Sequence, residues 1–168
     1  MNPANTAIAL EIDPLGIPWW GARVRDFTGE LVVDPKSDLV RLAVRINARS
    51  IDSGEADWNA RLQSPEWFGA KRFPNIRYAS TGPGIRTRDR WVLAGELVIR
   101  DIRRPVVLTV NESGCALPSA SDSHTECRFK AHARVRRSEF GLPHGFWEGG
   151  DRVDISVWSV HPLEATSR

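Results

Sequence analysis

The histidines and one nearby acid are the first candidates for chemistry in this sequence. Four histidines occur, His124, His132, His144 and His161. Of these, His144 lies in an aromatic segment and is followed four residues later by Glu148, a pair that could act as general acid and base. The sequence offers them no nucleophile paired with a base, no glycine-rich phosphate loop and no metal-ligand cluster. We therefore predict no catalytic site, no metal site and no enzyme, and interpret His144 as a loop residue.

The cysteines are the second candidates. Cys115 and Cys127 are the only two in the sequence, and two thiols without a second pair do not supply the four ligands of a structural zinc site. We predict two reduced cysteines that flank a loop, in preference to a disulfide, for a protein of the cytosol.

Large aromatic side chains are the third candidates, and they concentrate just before a strand. Residues 64–74 carry three large rings within seven positions. Ser64 can cap a helix start, and Pro65 suits the first helical position. An alternating strand follows over residues 75–81. The pattern predicts a partly helical, aromatic plug that either fills the end of a barrel or lines its mouth.

Length and charge limit the classes of protein. The chain has 168 residues, 41 % of them hydrophobic and 26 % charged, with a formal net charge of +2. These values predict one globular domain over residues 1–168, with an atypical or truncated first strand in 1–14 and a frayed tail in 162–168. So small a net charge argues against a nucleic-acid-binding protein.

The cellular location is predicted from two kinds of segment, membrane spans and secretory signals, that the sequence does not contain. No stretch reaches the roughly 18 apolar residues of a membrane span. Residues 1–6 lack the basic and apolar regions of a secretory signal. We expect a cytoplasmic protein, or a periplasmic one if a leader has been removed.

Alternating residues recur along the chain and define the elements that must position these side chains. The clearest runs are Leu39–Asn47, Trp91–Arg100 and Arg128–Arg136. About eight strands and one short helix over residues 55–63 are predicted, without repeated strand–helix–strand units. An all-β, antiparallel barrel is the natural solution, because closure removes exposed edges.

Three local expectations accompany this pattern. Gly29 is expected to bend a strand that continues to residues 31–33, and residues 111–126 are expected to form the longest loop. The basic row that alternates along residues 128–136 is interpreted as a solvated strand face, in preference to an anion or nucleic-acid track.

Five ordered motifs resemble those of the YceI-like family. They are residues 26–31 (DFTGEL), 50–54 (SIDSG), 62–81 (LQSPEWF through FPNIRYAST), 95–106 (GELVIRDIRRPV) and 137–142 (RSEFGL). The sequence differs from the family's frequent residues at Arg61, Gly69 and Asp101. Asp101 replaces the glycine of a tight hairpin turn and can still adopt its left-handed conformation.

The resemblance implies a lipocalin-like barrel that binds polyisoprenoids. We then expect binding or carriage, without catalysis, of an apolar polyprenyl or quinone-like ligand and no other cofactor. Arg61 or Arg137 could serve its head group, although Arg137 is also interpreted as a structural arginine that ties a loop to backbone carbonyls. The candidate residues for the ligand's apolar chain are Trp58, Leu62, Trp67, Phe68, Phe73, Trp91, Phe140 and Trp147.

An alternative hypothesis is a barrel filled by its own tryptophans that acts as a protein-interaction or stress-related module. Trp158 is out of phase with the inward residues of its strand, so it is predicted to point away from the interior. It would then lie at a homodimer contact or under Trp19 and Trp20.

Overall fold

Strands account for most of the chain that the structure describes. The computed structural model describes residues 1–12, 20–34, 39–87, 90–116, 125–144 and 150–163. The strands are β1 (Thr6–Ile12), β2 (Trp20–Val24), β3 (Phe27–Asp34), β4 (Leu39–Asn47), β5 (Ile51–Asp52), β6 (Asn75–Ser80), β7 (Ile85–Thr87), β8 (Arg90–Ile99), β9 (Ile102–Ala116), β10 (Thr125–Arg136) and β11 (Arg152–Leu163).

All strands belong to one antiparallel sheet that curls into a half-barrel. The order is β3-β4-β6-β8-β9-β10-β11-β1-β2-β5, with β7 paired to β8. The first and last strands are neighbours, because Thr6 of β1 pairs with Ser159 of β11. The predicted all-β, antiparallel, lipocalin-like class is confirmed, with more strands than the eight expected.

The core occupies the concave side of this sheet, as the alternation predicts. In β4, Val40 and Leu42 are buried while Arg41 is exposed. In β8, Trp91 and Leu93 point inward in the same way. One face of these strands thus loses its contact with water, which stabilises the sheet by about 25 cal/mol per Å² of apolar surface.

The outward basic row of β10 is partly paired with acid on the next strand. Arg134 Nε lies 2.7 Å from Oδ1 of Asp154 in β11, and His132 Nε2 lies 3.4 Å from the same oxygen. Arg128, Lys130 and Arg134 are exposed. The outward face of β10 is therefore solvated, as expected.

One short helix, α1 (Ala56–Gln63), lies between β5 and β6. Its Leu62 is 2 % exposed and belongs to the core, and Trp58 packs against that core from the same side of the helix. Four-residue spacing places the two side chains on one helix face. The predicted helix is confirmed, with Glu55 as its N-cap residue rather than its first turn.

The aromatic plug consists of turns, and its predicted partly helical form is wrong. Ser64 is the C-cap residue of α1 and does not begin a helix. Gly69 has φ of 56°, and its amide donates to the carbonyl oxygen of Ser64 at 2.8 Å. A left-handed residue at this point reverses the chain, which a regular helix cannot do.

Two loop expectations are also corrected. Gly29 does not interrupt a strand, because it pairs with Val44 without a register shift, and the break falls at Arg25–Asp26 instead.

Within residues 111–126, β9 extends to Ala116 and β10 begins at Thr125. Residues 111–116 and 125–126, which were expected to be loop, therefore belong to the two strands. There the backbones of Cys115 and Cys127 stand opposite each other, and their redox state remains a prediction.

In the β8–β9 hairpin, the turn residue with a positive φ is not the one expected. Ile99 pairs with Ile102, so Arg100 and Asp101 form a two-residue turn. The positive φ belongs to Arg100, at 59°, and not to Asp101. A two-residue hairpin turn with left-handed backbone at its first position alone fits the right-handed twist of the strands.

Candidate ligand site

An apolar cavity lies inside the curled sheet, at the end next to α1. Its volume is about 90 Å³ and the surface that it presents is apolar. Its strand residues come from both halves of the sheet, and we call this space the inner cavity. They are Ile8, Leu10, Ile12, Val24, Ile46, Ile51, Ile76, Leu97, Ile99, Val135, Val153 and Ile155.

The turns after α1 close one side of the inner cavity. Trp67 and Phe68 line it from these turns, next to Leu62 from the last turn of α1. Trp67 is 5 % exposed and Phe68 is 9 % exposed. The amide of Phe68 donates to the carbonyl oxygen of Leu62 at 3.0 Å, which folds the aromatic pair back over the end of the helix.

A second segment completes the wall. Phe140 ends a short 3-10 helix over Ser138–Phe140, is fully buried, and lines the inner cavity together with Leu142. Gly141 follows with φ of 63°. That left-handed conformation suits glycine, and it turns the chain so that both apolar side chains face inward.

Arg137 is a buried cation at the edge of the cavity. It is 3 % exposed, and its Nη2 donates a hydrogen bond to the carbonyl oxygen of Gly150. Its guanidinium carbon lies 5.3 Å from the ring centroid of Trp67. These contacts agree with a structural arginine that ties a loop to backbone carbonyls.

Arg61 lies outside the inner cavity, in a surface pocket that opens to solvent. This outer pocket has a volume of about 550 Å³ and is lined by Ala60, Arg61, Ser64, Glu66, Trp67 and Pro143. The Arg61 guanidinium carbon lies 4.9 Å from the ring centroid of Trp58. Hydrogen bonds from the backbone amide of Glu66 and from the Ser64 side chain hold the pKa of the Glu66 carboxyl below its usual value.

The remaining aromatic candidates are not on the inner cavity. Trp58 stands behind Trp67, with ring centroids 6.3 Å apart in an edge-to-face arrangement. Phe73 packs against Gly69 and beneath the guanidinium groups of Arg72 and Arg100.

Trp91 is buried elsewhere in the core, with Arg86 over its ring at 5.5 Å. Trp147 lies outside the described residues.

Of the ten candidates, the structure thus brings Leu62, Trp67, Phe68, Phe140 and Arg137 together around one space. Ligand contact by these five side chains remains a prediction.

His144 does not stand in an enclosed site. Its side chain is exposed, and Nδ1 lies 3.1 Å from the carbonyl oxygen of Leu142. Glu148 lies outside the described residues, so the proposed acid–base pair is not tested.

Within the described ranges, no three His, Cys, Asp or Glu side chains come close enough to hold a metal ion. None of the helices in those ranges has the length and apolar character needed to cross a bilayer.

The arrangement of strands, plug and cavity has counterparts among known proteins. The sequence profile of the YceI-like domain matches residues 1–159. The chain belongs to the YceI-like family. Three relatives are a UPF0312 protein of Azotobacter vinelandii, a UPF0312 protein of Photorhabdus laumondii and the protein YceI of Salmonella arizonae. Their identities are 22 %, 26 % and 23 %, over 89 % of this chain and 78 %, 77 % and 78 % of theirs.

Solved structures show the same fold. BcnA of Burkholderia cenocepacia superposes with a TM-score of 0.77 at 20 % identity, over 93 % of this YceI-like chain and 96 % of its own. A polyisoprenoid-binding domain of Saccharophagus degradans, implicated in plant cell wall breakdown, superposes with a TM-score of 0.65 at 8 % identity. The second match covers 97 % of this chain and 96 % of that domain.

Two motifs that carry the resemblance have clear physical roles in this YceI-like chain. In residues 95–106, Gly95 leaves room for the Tyr78 ring, since a Cβ there would lie 2.5 Å from Tyr78 Cζ. In residues 137–142, Arg137 and Phe140 form part of the inner cavity wall. Both motifs therefore shape the interior rather than supply reactive groups.

Sequence reasoning missed most of this wall. The candidates for the ligand's apolar chain were almost all aromatic, whereas aliphatic residues such as Ile8, Ile46 and Ile155 form most of the lining. Their alternation along the strands was the available signal. It identifies the inward face of each strand, but not which inward residues leave a space between them.

Proposed function

We propose that this YceI-like protein binds an isoprenoid-type ligand, polyprenyl or quinone-like, without catalysis. The observation that supports this most directly is an apolar inner cavity enclosed by strands and the aromatic plug. A hydrocarbon chain needs few polar contacts there, because it gains about 25 cal/mol for each Å² of apolar surface removed from water. The polyisoprenoid-binding domain of Saccharophagus degradans, with the same fold, supports the same proposal.

The size of the cavity defines what binding must involve. The volume of about 90 Å³ is well below the roughly 300–1,000 Å³ of typical small-molecule sites. A ligand of several isoprene units must therefore displace side chains of the wall or extend into neighbouring space. The aliphatic side chains of the wall can yield in this way, because moving their methyl groups breaks no hydrogen bond.

The test is direct binding with two matched variants. Native mass spectrometry of the full chain with geranylgeraniol is expected to show one ligand per chain. Ile155→Phe places extra carbon atoms in the inner cavity and should weaken binding severalfold. Val107→Phe adds the same ring to an outward residue that is 54 % exposed and should leave binding unchanged. Absence of any ligand adduct with wild-type protein, at concentrations that saturate a micromolar site, would overturn the proposal.

A second candidate function, a protein-interaction module, is favoured by one feature of the outer surface. Trp158 points outward as predicted and is 41 % exposed, with Lys130 Nζ 5.6 Å from its ring centroid. It pairs across the ladder with Ala7, whose small side chain leaves the indole accessible. An exposed apolar patch marks a partner surface, and this ring would be part of such a patch.

A charge at this position separates the two candidates. Trp158→Glu should convert a homodimer to a monomer in light scattering if the indole forms a self-contact. An unchanged oligomer and an unchanged melting temperature would count against the interaction module. Because Trp158 does not line the inner cavity, the same variant should still bind geranylgeraniol.

A further inference from the structure

Trp67 borders two spaces, because among the described residues it is the one that lines both the inner cavity and the outer pocket. The inner cavity measures about 90 Å³ and the outer pocket about 550 Å³. A path from one space to the other would therefore pass Trp67.

The ring is held by side-chain contacts from both sides. Trp58 meets it edge to face at 6.3 Å, with an angle of 86° between the ring planes, and the Arg137 guanidinium lies 5.3 Å from its centroid. Arg61 in turn lies over Trp58 at 4.9 Å. The four side chains thus form a stack from the buried edge of the cavity to the surface of α1. Aromatic and cation–π contacts of this kind are specific but individually weak.

The local backbone allows the ring to move without unfolding an element. Trp67 lies in the turns between α1 and β6, where its amide donates to the Ser64 carbonyl oxygen at 3.1 Å. Rotation about the side-chain torsions leaves that hydrogen bond intact. A rotation of Trp67 would therefore add volume to a cavity that is otherwise too small for a long chain.

The charges of the outer pocket indicate the head group that it would accept. Arg61 and Glu66 both line the pocket and both are exposed. The hydrogen bonds on the Glu66 carboxyl favour its ionised form at neutral pH. A diphosphate would be attracted by Arg61 but repelled by the Glu66 carboxylate. A hydroxyl or a quinone carbonyl could accept a hydrogen bond from Arg61 and would not be repelled by Glu66.

We propose that the outer pocket is the entrance and head-group site of the inner cavity, that Trp67 is its gate, and that the head group is uncharged. This inference rests on the proposed function, because it describes how the same isoprenoid chain enters and is oriented. The chain passes Trp67 into the apolar interior, and its hydroxyl or carbonyl end stays beside Arg61.

Trp58→Leu tests the gate, because Trp58 supports Trp67 but does not line the inner cavity. Stopped-flow fluorescence with a benzoquinone that carries four isoprene units measures association and dissociation. Both rates should rise by roughly two- to tenfold, the equivalent of one lost aromatic contact, with little change in Kd. Trp67→Leu should also raise both rates.

The control is Trp91→Leu, which removes a similarly buried ring at a place away from the cavity. It should leave both rates at the wild-type values. Rates in Trp58→Leu and Trp67→Leu that match those of Trp91→Leu would overturn the gate. A rise in dissociation alone would also overturn it, because that result indicates an ordinary wall contact.

The head-group test compares geranylgeraniol with geranylgeranyl diphosphate, which share one hydrocarbon chain. Wild-type protein should bind the alcohol more tightly. Glu66→Gln should improve diphosphate affinity severalfold and leave alcohol affinity unchanged, while Asp57→Asn, the same loss of charge on α1, should change neither. Tighter wild-type binding of the diphosphate would overturn the uncharged head group.

The two proposals fail in different ways. If wild-type protein takes up none of these isoprenoids, the proposed function itself is wrong. If it binds them and the variants at Trp58, Trp67 and Glu66 behave as their controls do, the function stands and this inference is wrong.

Discussion

Gly95 and Tyr78 show how single residues shape the interior of this protein. A Cβ at Gly95 would lie 2.5 Å from Cζ and Oη of Tyr78 and 2.7 Å from the Ala79 carbonyl oxygen. The Tyr78 hydroxyl donates to the Leu93 carbonyl oxygen at 3.1 Å, and burial raises the pKa of this phenol to about 12. The ring therefore lies across the glycine, neutral and hydrogen-bonded, and has little freedom to withdraw.

Gly95→Ala should consequently destabilise the protein by about 2 kcal/mol, within the range found for overpacked cores. Urea unfolding followed by tryptophan fluorescence measures the change. Gly82→Ala is the matched control, because nothing lies within 4 Å of a Cβ at that position. Equal stability of Gly95→Ala and wild-type protein would contradict the close packing of Tyr78 and the Ala79 carbonyl against Gly95.

The sequence was a good guide to single residues where a regular pattern surrounds them. Leu97 points inward and Trp158 points outward. Each position follows from the alternation along its own strand, β8 or β11. The left-handed residue of the β8–β9 turn did not follow, because it is Arg100 although Asp101 has the better local preference. The strand register decides which residue occupies that turn position, and register depends on the whole sheet.

The carboxylate of Asp52 links three of the elements around α1. Asp52 of β5 accepts hydrogen bonds from Asn59 Nδ2 of α1 at 2.9 Å and from the Gly54 amide at 2.9 Å. Arg25, next to β2, binds the same carboxylate at 3.0 Å. Asp52 thus fixes the start of the helix relative to two strands, and with it the position of the plug that follows.

This tie predicts a particular pH dependence. The bonds from Asn59, Gly54 and Arg25 lower the pKa of Asp52 from 3.8 to about 2. A carboxyl with a lowered folded-state pKa stabilises the protein above its unfolded pKa, and this contribution is lost as pH falls from about 4 towards 2. Asp52→Asn should therefore be less stable than wild-type protein at pH 6, and the difference should shrink towards pH 2.

Denaturant unfolding at several pH values measures this difference. Asp57→Asn, an exposed position in the first turn of α1, is the comparison. A stability difference for Asp52→Asn that stays constant from pH 6 to pH 2 would contradict the role given to this carboxylate.

Elements were predictable where hydrophobic period and length agree, and less so where the chain reverses. The bounds of β4 match the expected alternation at both ends. The plug was misread because Ser64 and Pro65 suit a helix start, yet Ser64 ends α1 instead. Capping preferences are short-range signals, and here the packing of Leu62, Trp67 and Phe68 around one cavity outweighs them.

For the whole molecule, a ligand that binds the folded state alone must also stabilise it. At a free concentration of about 100 times Kd the gain is roughly 2.7 kcal/mol, which for a chain of this size raises Tm by roughly 5–10 °C. Differential scanning calorimetry with geranylgeraniol measures this shift. Ile155→Phe should show a smaller shift at the same concentration, and a shift of equal size would indicate binding outside the inner cavity.

The overall architecture was predictable because alternation without strand–helix–strand repeats leaves an antiparallel barrel as the simplest way to bury one face. The position and size of the inner cavity were not predictable. They depend on the small differences in side-chain volume that remain after twelve strand residues have packed against α1, the plug and residues 137–142.

The pairing of β1 with β11 also affects how the chain can fold during synthesis. Thr6 and Ser159 are ladder partners, so this seam joins residues 153 positions apart. At roughly 5–20 residues per second, β1 leaves the ribosome several seconds before its partner exists. Until then the β1–β2 hairpin presents one unpaired edge, and the interior that we propose for the ligand stays open to solvent. Newly made chains should therefore depend on chaperone protection until the last strand is released.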